Sequence, residues 1–196
     1  KQFDFFMEAL KRSSPVPISF EAMPASTYGY FSQGRQRIAI REDMSEIQTV
    51  SAAIHEIAHA KLHNLQPEKA QDHGEAGKAP EKPKDRRTEE VEAESVSFAV
   101  CAYYGIATDE NSFGYIAAWS KDKDLPELKA SLETISKTSA ELIDDIDLVR
   151  KWAARIGGRY MGRDRAEEYG ARNGVPGELL VKLTPTNVVS AVDVAS

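Results

Sequence analysis

A single cysteine, Cys101, stands among the 196 residues, so an internal disulfide framework is excluded. A reducing, cytoplasmic setting is expected on that ground. Long apolar runs are missing as well. Phe3, Phe5 and Phe6 are interrupted by Asp4 and Glu8, and nothing approaches the ~18 apolar residues of a membrane span. Neither a span nor a signal peptide is expected. Positive charge is also scarce: 25 basic residues face 31 acidic ones, a net charge of −6, which argues against direct nucleic-acid binding by this stretch. No internal repeat is evident. The length suits one ordinary domain with a real core, or a domain plus a tail. The start at Lys1 rather than Met suggests a piece of a longer polypeptide.

What the chain does have is His55-Glu56-Ile57-Ala58-His59, an H-E-x-x-H pattern. On a helix, positions i and i+4 share a face, so the two imidazoles can meet one cation. Glu56 lies beside them, where its carboxylate can take a proton from a metal-activated water. Imidazole ligands with an open coordination position suit zinc. The surrounding sequence reads as a helix. Ser45 and Gln48 stand in capping-box relation, Ile47, Val50, Ile54, Ile57 and Leu62 form an apolar stripe, and Asn64 and Pro67 supply stop signals. Ala52, Ala53, Ala58 and Ala60 keep that helix slim around the histidines.

A catalytic zinc site requires a third protein ligand. The metzincin spacing would need glycine and histidine where Leu62 and Leu65 stand, which excludes that class. His63 lies one turn beyond His59, about 6 Å further along the axis, and is read as a surface residue or a hydrogen-bonding partner of a ligand. The segment from Thr88 to Glu94 opens a second helix that continues through Val96, Phe98, Ala99 and Cys101 to Tyr104-Gly105. Glu90 and Glu94 are i and i+4 on it. This is the arrangement of glutamate-type zincins, in which the first carboxylate binds metal and the second orients a ligand histidine. Glu89 is read as a solvated residue near the helix start.

H-E-I-A-H followed by E-E-V-E-A-E-S-V-S-F resembles the ImmA/IrrE group of zinc metallopeptidase domains. The runs from Ser112 to Ser120 and from Leu128 to Ile135 are similar to the metallopeptidase domain of ArdC-type antirestriction proteins of bacterial conjugative elements. The likeness covers about residues 1–150. It implies one Zn2+ held by His55, His59 and Glu90, with Glu56 as the catalytic base and Glu94 behind a ligand histidine. It also implies a protein or peptide substrate and a part in protecting mobile DNA. Relatives of that type commonly carry a separate single-stranded-DNA-binding domain, which this sequence lacks.

The remaining segments fill in the architecture. Residues 2–12 read as an amphipathic helix, and residues 26–41 as a β-hairpin turning at Gln33-Gly34. A strand before the H-E-x-x-H helix can hold an extended peptide by main-chain pairing; whether Arg37–Arg41 is that strand stays open. Residues 66–87 are expected to be a mobile loop, with His73 solvated. Phe113, Tyr115 and Trp119 are read as core, Cys101 as a buried thiol, and Tyr103, Tyr104 and Tyr115 as candidate oxyanion donors. From Asp124 one long helix is expected, with Leu125, Leu128, Leu132, Ile135, Leu142, Ile146, Val149 and Ile156 on its apolar stripe, packed across the core or in a coiled coil. Residues 158–196 read as a linker or tail. The expected fold is a mostly helical α+β, zincin-like domain over residues 1–157, with a small antiparallel sheet. Three functions fit: a peptidase acting on a specific protein, a non-catalytic antirestriction module holding zinc, and a structural domain. An intact Glu56 favours the first.

Overall fold

The computed structural model describes residues 2–64, 84–108 and 112–156. The expectations for a mobile 66–87 segment, for His73 and for the 158–196 tail therefore fall wholly or mostly outside the described residues. The chain separates into two compact units, one of residues 10–143 and one of residues 1–9 and 144–196. In the smaller unit Met7, Ala9 and Ile146 are buried. The larger unit carries the sheet and the H-E-x-x-H helix.

Helix α1 (Gln2–Ser13) is followed by three strands, β1 (Ile18–Glu21), β2 (Gly29–Ser32) and β3 (Arg37–Arg41). They form a mostly half-buried sheet of order β1-β3-β2. The expected hairpin is present as the antiparallel pair β2–β3, with Gly29 opposite Ile40 and Ser32 opposite Arg37. β1 adds a parallel pairing, Ile18 opposite Ile38, so the sheet is mixed. The central strand explains its own composition: Ile38, Ala39 and Ile40 are all fully buried, as continuous apolar runs in interior strands are. The hairpin turn spends its left-handed residue on Gln36 (φ 46°), not on Gly34. Gln36 and Asn64 exchange two amide hydrogen bonds, 3.0 and 2.9 Å, which tie the turn to the end of the next helix.

That helix, α2 (Glu46–Leu62), starts at a complete capping box between Ser45 and Gln48. Val50, Ala53, Ile54, Ile57 and Ala58 are buried along it. Ile47 is not; it is 49% exposed and lies at the cleft described below, so the apolar stripe begins at Val50. Helix α3 (Arg86–Tyr103) packs against α2, and the Ser97 hydroxyl donates to the Ser51 carbonyl at 2.9 Å. It opens two residues before Thr88. Its N-cap is Asp85, whose carboxylate accepts from the Thr88 N–H. It ends in a Schellman motif. Gly105 at φ +70° donates to Ala102 O, and Ile106 N–H reaches Cys101 O at 2.9 Å.

Helix α4 (Ser112–Ser120) is fixed by buried Trp119, whose indole N–H donates to Thr88 Oγ1 at 3.0 Å. The side chains of Phe113 and Tyr115 lie outside the described residues. Helix α5 (Leu125–Ile156) runs through both units. Its apolar stripe departs from the expected one, since Leu125 and Leu132 are 78% and 63% exposed. Ser131, Thr138, Ser139 and Leu142 are the buried residues of its stretch in the larger unit, and Ser131 donates to Glu92 of α3 at 2.8 Å. Cys101 is fully buried, and burial pushes its thiol up to about 11, as expected for an inert core residue.

Candidate metal centre

His55 and His59 sit one turn apart in the C-terminal half of α2, with His59 in its last turn, and Glu90 comes from the second turn of α3. Packing of the two helices brings three ligand-type atoms within 4.8 Å of one another. The two Nε2 atoms are 3.1 Å apart, and Glu90 Oε2 lies 3.5 Å from that of His55 and 3.6 Å from that of His59. Tetrahedral zinc with bonds near 2.0–2.1 Å spaces its ligands by about 3.3–3.4 Å. The observed separations bracket that value, so this donor set fits zinc.

The electrostatics agree with a cation at this spot. Burial works against a charged His55, yet Glu90, Glu94 and Glu56 outweigh it and carry its pKa up to about 9. Glu90 is held far below the usual carboxylate range by its hydrogen bonds to His55 and His59. The remaining ring nitrogens are also engaged. His55 Nδ1 lies 3.3 Å from Glu94 Oε2. His59 Nδ1 lies 3.0 Å from Nδ1 of His63.

Glu56 is buried beside the histidines. Burial raises its pKa, while His55, His59 and a backbone hydrogen bond with Phe31 pull the other way. Strand β2 makes this closeness possible. A Cβ on Gly29 would stand 3.3 Å from Glu56 Cγ and 2.9 Å from the Ala39 carbonyl, so glycine alone lets the sheet edge approach the helix.

The site opens into a cleft of about 1430 Å³, bordered by β2 on one side and by the start of α3 on the other. The strand along the cleft is therefore the edge strand β2, and β3 is the covered central one. Tyr28 and Tyr30 line the cleft, whereas Tyr103 and Tyr104 do not. The Tyr104 hydroxyl donates instead to the Ile143 carbonyl at 3.1 Å. Glu89, expected to be a solvated residue near the helix start, is half-buried and lines the cleft.

Sequence reasoning missed Glu92. It is fully buried and bonded to His63, Lys84 and Ser131. Placed two residues from both Glu90 and Glu94, it carries no spacing signal of its own, and its partners come from distant segments.

Residues 15–104 match the IrrE N-terminal-like domain, a zinc metallopeptidase family. An uncharacterized protein of Bacillus anthracis is 37% identical over 112 residues, which cover 57% of this chain and 17% of that protein. The chain thus spans about a sixth of the length of the curated relative it matches. No solved structure gives a significant match. No helix among the described residues is long and apolar enough to cross a membrane. The matched segment contains the whole histidine–glutamate cluster, and together they support a relationship to the IrrE-like metallopeptidases.

Proposed function

We propose that this domain is a zinc-dependent peptidase, acting on a protein substrate within an ArdC-like antirestriction or mobile-element protein of the bacterial cytoplasm. The observation that carries the proposal is the convergence of His55 Nε2, His59 Nε2 and Glu90 Oε2 beside buried Glu56 on the wall of an open cleft. In this proposal those three atoms hold one zinc ion, and Glu94 orients His55 through Nδ1. When bound, the ion supplies Lewis acidity, which lowers the pKa of water from about 15.7 towards 7 and polarises a carbonyl.

The chain's own residues supply the rest. Glu56 accepts the proton of the attacking water on its carboxylate and passes it to the departing amine nitrogen. Its upward-shifted pKa suits a group that must both take and release a proton. The edge strand β2 borders the cleft, where an extended peptide could add to it by main-chain pairing. An acidic chain offers few clustered cations for phosphate contacts, so direct DNA binding by these residues is expected to be weak.

Glu56→Gln tests the proposal. The variant should keep its metal and lose hydrolysis, because an amide cannot accept the proton. In the host, the intact protein should deplete one or a few proteins, and the variant should leave them untouched. If antirestriction activity survives Glu56→Gln but fails with His55→Ala, hydrolysis is dispensable and zinc serves a binding module.

A further inference from the structure

Two buried ionisable side chains, His63 and Glu92, have no task in the chemistry above. His63 is 5% exposed and Glu92 is 0% exposed. His63 closes the C-terminus of α2 as its C-cap, with its N–H on the His59 carbonyl at 2.8 Å. Its own carbonyl accepts from Gln33 Nε2 at 2.6 Å. The backbone thus fixes where the ring begins. Glu92 accepts from Lys84 Nζ on both oxygens at 2.8 Å, and from Ser131 Oγ at 2.8 Å. Its Oε2 lies 3.0 Å from His63 Nε2, and His63 Nδ1 lies 3.0 Å from His59 Nδ1.

The direction of these bonds follows from what each atom can do. A hydrogen bond between two ring nitrogens needs a proton on one and a lone pair on the other. An ionised Glu92, bonded to Lys84, can only accept, so the nitrogen facing it, His63 Nε2, must carry a proton. In a neutral His63 the lone pair then sits on Nδ1, and His59 Nδ1 must donate to it. With Nδ1 so engaged, Nε2 is the nitrogen of His59 left for a metal, and it is the atom that converges with His55 and Glu90.

We propose that His63 and Glu92 are positioning residues that keep the proton of His59 on Nδ1, so that Nε2 is the nitrogen this ring presents to a metal. Lys84 bonds both oxygens of Glu92, and Ser131 bonds the one turned away from His63. The two ligand histidines are supported differently. His55 leans on Glu94, a carboxylate whose side chain is 40% exposed, whereas His59 leans on a buried histidine–glutamate pair. Glu92 itself hydrogen-bonds His63, and His63 spans the distance to His59.

This inference rests on the zinc-site proposal, and the test separates the two. Nitrogen-15 NMR of the four histidine rings, in zinc-free and zinc-loaded protein, reads the tautomers directly. The expected result in both forms is a proton on Nε2 of His63 and on Nδ1 of His59. A His63 proton on Nδ1, or on both nitrogens, overturns the inference. Chelator competition supplies a second reading. His63→Leu leaves Glu92 paired with Lys84 and Ser131, and zinc affinity should fall about 10–100-fold, as for other lost partners of ligand histidines. Glu92→Gln, which keeps the volume, should weaken zinc binding in the same direction. Wild-type zinc affinity in folded His63→Leu and Glu92→Gln also overturns the inference. If the wild type takes up no zinc, the peptidase proposal fails, while the zinc-free spectrum still decides the tautomers.

Discussion

Replacing Gly29 by alanine probes how the sheet edge holds Glu56. The new Cβ would stand 2.9 Å from Ala39 O, 2.9 Å from Ile40 Cδ1 and 3.3 Å from Glu56 Cγ. The isoleucine methyl can turn aside. The Ala39 carbonyl cannot, because it belongs to the central strand, which is paired on both edges. β2 must therefore lift, and Glu56 with its Phe31 backbone contact must shift. Overpacking of this kind costs about 1–3 kcal/mol. At roughly 2–4 °C per kcal/mol for a protein of this size, Tm should fall by about 2–12 °C. Gly34→Ala is the matched control. Its Cβ meets nothing within 4 Å and its φ lies outside the left-handed region, so Tm should hold or rise slightly. Differential scanning calorimetry measures both variants. Gly29→Ala should also lose hydrolysis while retaining zinc, since it touches none of His55, His59 and Glu90. Equal melting temperatures for the two variants would refute the close approach of β2 to α2.

Asp85 caps α3 and pairs with Lys123 at 2.7 Å, and these bonds hold its carboxyl down to about 2, against an ordinary 3.8. A depressed carboxyl stabilises the fold above the unfolded pKa and loses that contribution as pH falls through the folded one. With the side chain half exposed, screening limits the effect, and Asp85→Ala should cost about 1 kcal/mol at pH 7. That difference should shrink between about pH 4 and pH 2 in urea unfolding; a constant difference would exclude the charge as its source. Ser139 is buried with no hydrogen-bond partner for its hydroxyl among the described residues, so Ser139→Ala should leave stability unchanged or raise it by about 1 kcal/mol. A clear drop in Tm would show that the hydroxyl is satisfied after all.

Local chemistry made the H-E-x-x-H helix legible: its capping box and the i,i+4 spacing of His55 and His59 both depend on neighbours in sequence. The hairpin was legible for the same reason. β1 was not, because four residues after Pro17 carry little pattern and their parallel pairing with β3 spans about twenty positions. Glu92 was hidden among like residues, and only the approach of Lys84, His63 and Ser131 distinguishes it. On α5, leucine periodicity points to Leu125 and Leu132, whereas Ser131, bonded to Glu92, is one of the residues that turn inward.

The most direct measurement is the zinc content of protein purified without a metal-affinity tag, in the wild type and in His55→Ala, Glu90→Ala and Glu94→Ala. About one zinc per chain is expected in the wild type, loss in His55→Ala and Glu90→Ala, and retention at reduced affinity in Glu94→Ala. A wild type with less than about a tenth of a zinc per chain, and no uptake on adding zinc, would contradict the metal centre. Loss of zinc in Glu94→Ala with full retention in Glu90→Ala would move the third ligand to Glu94.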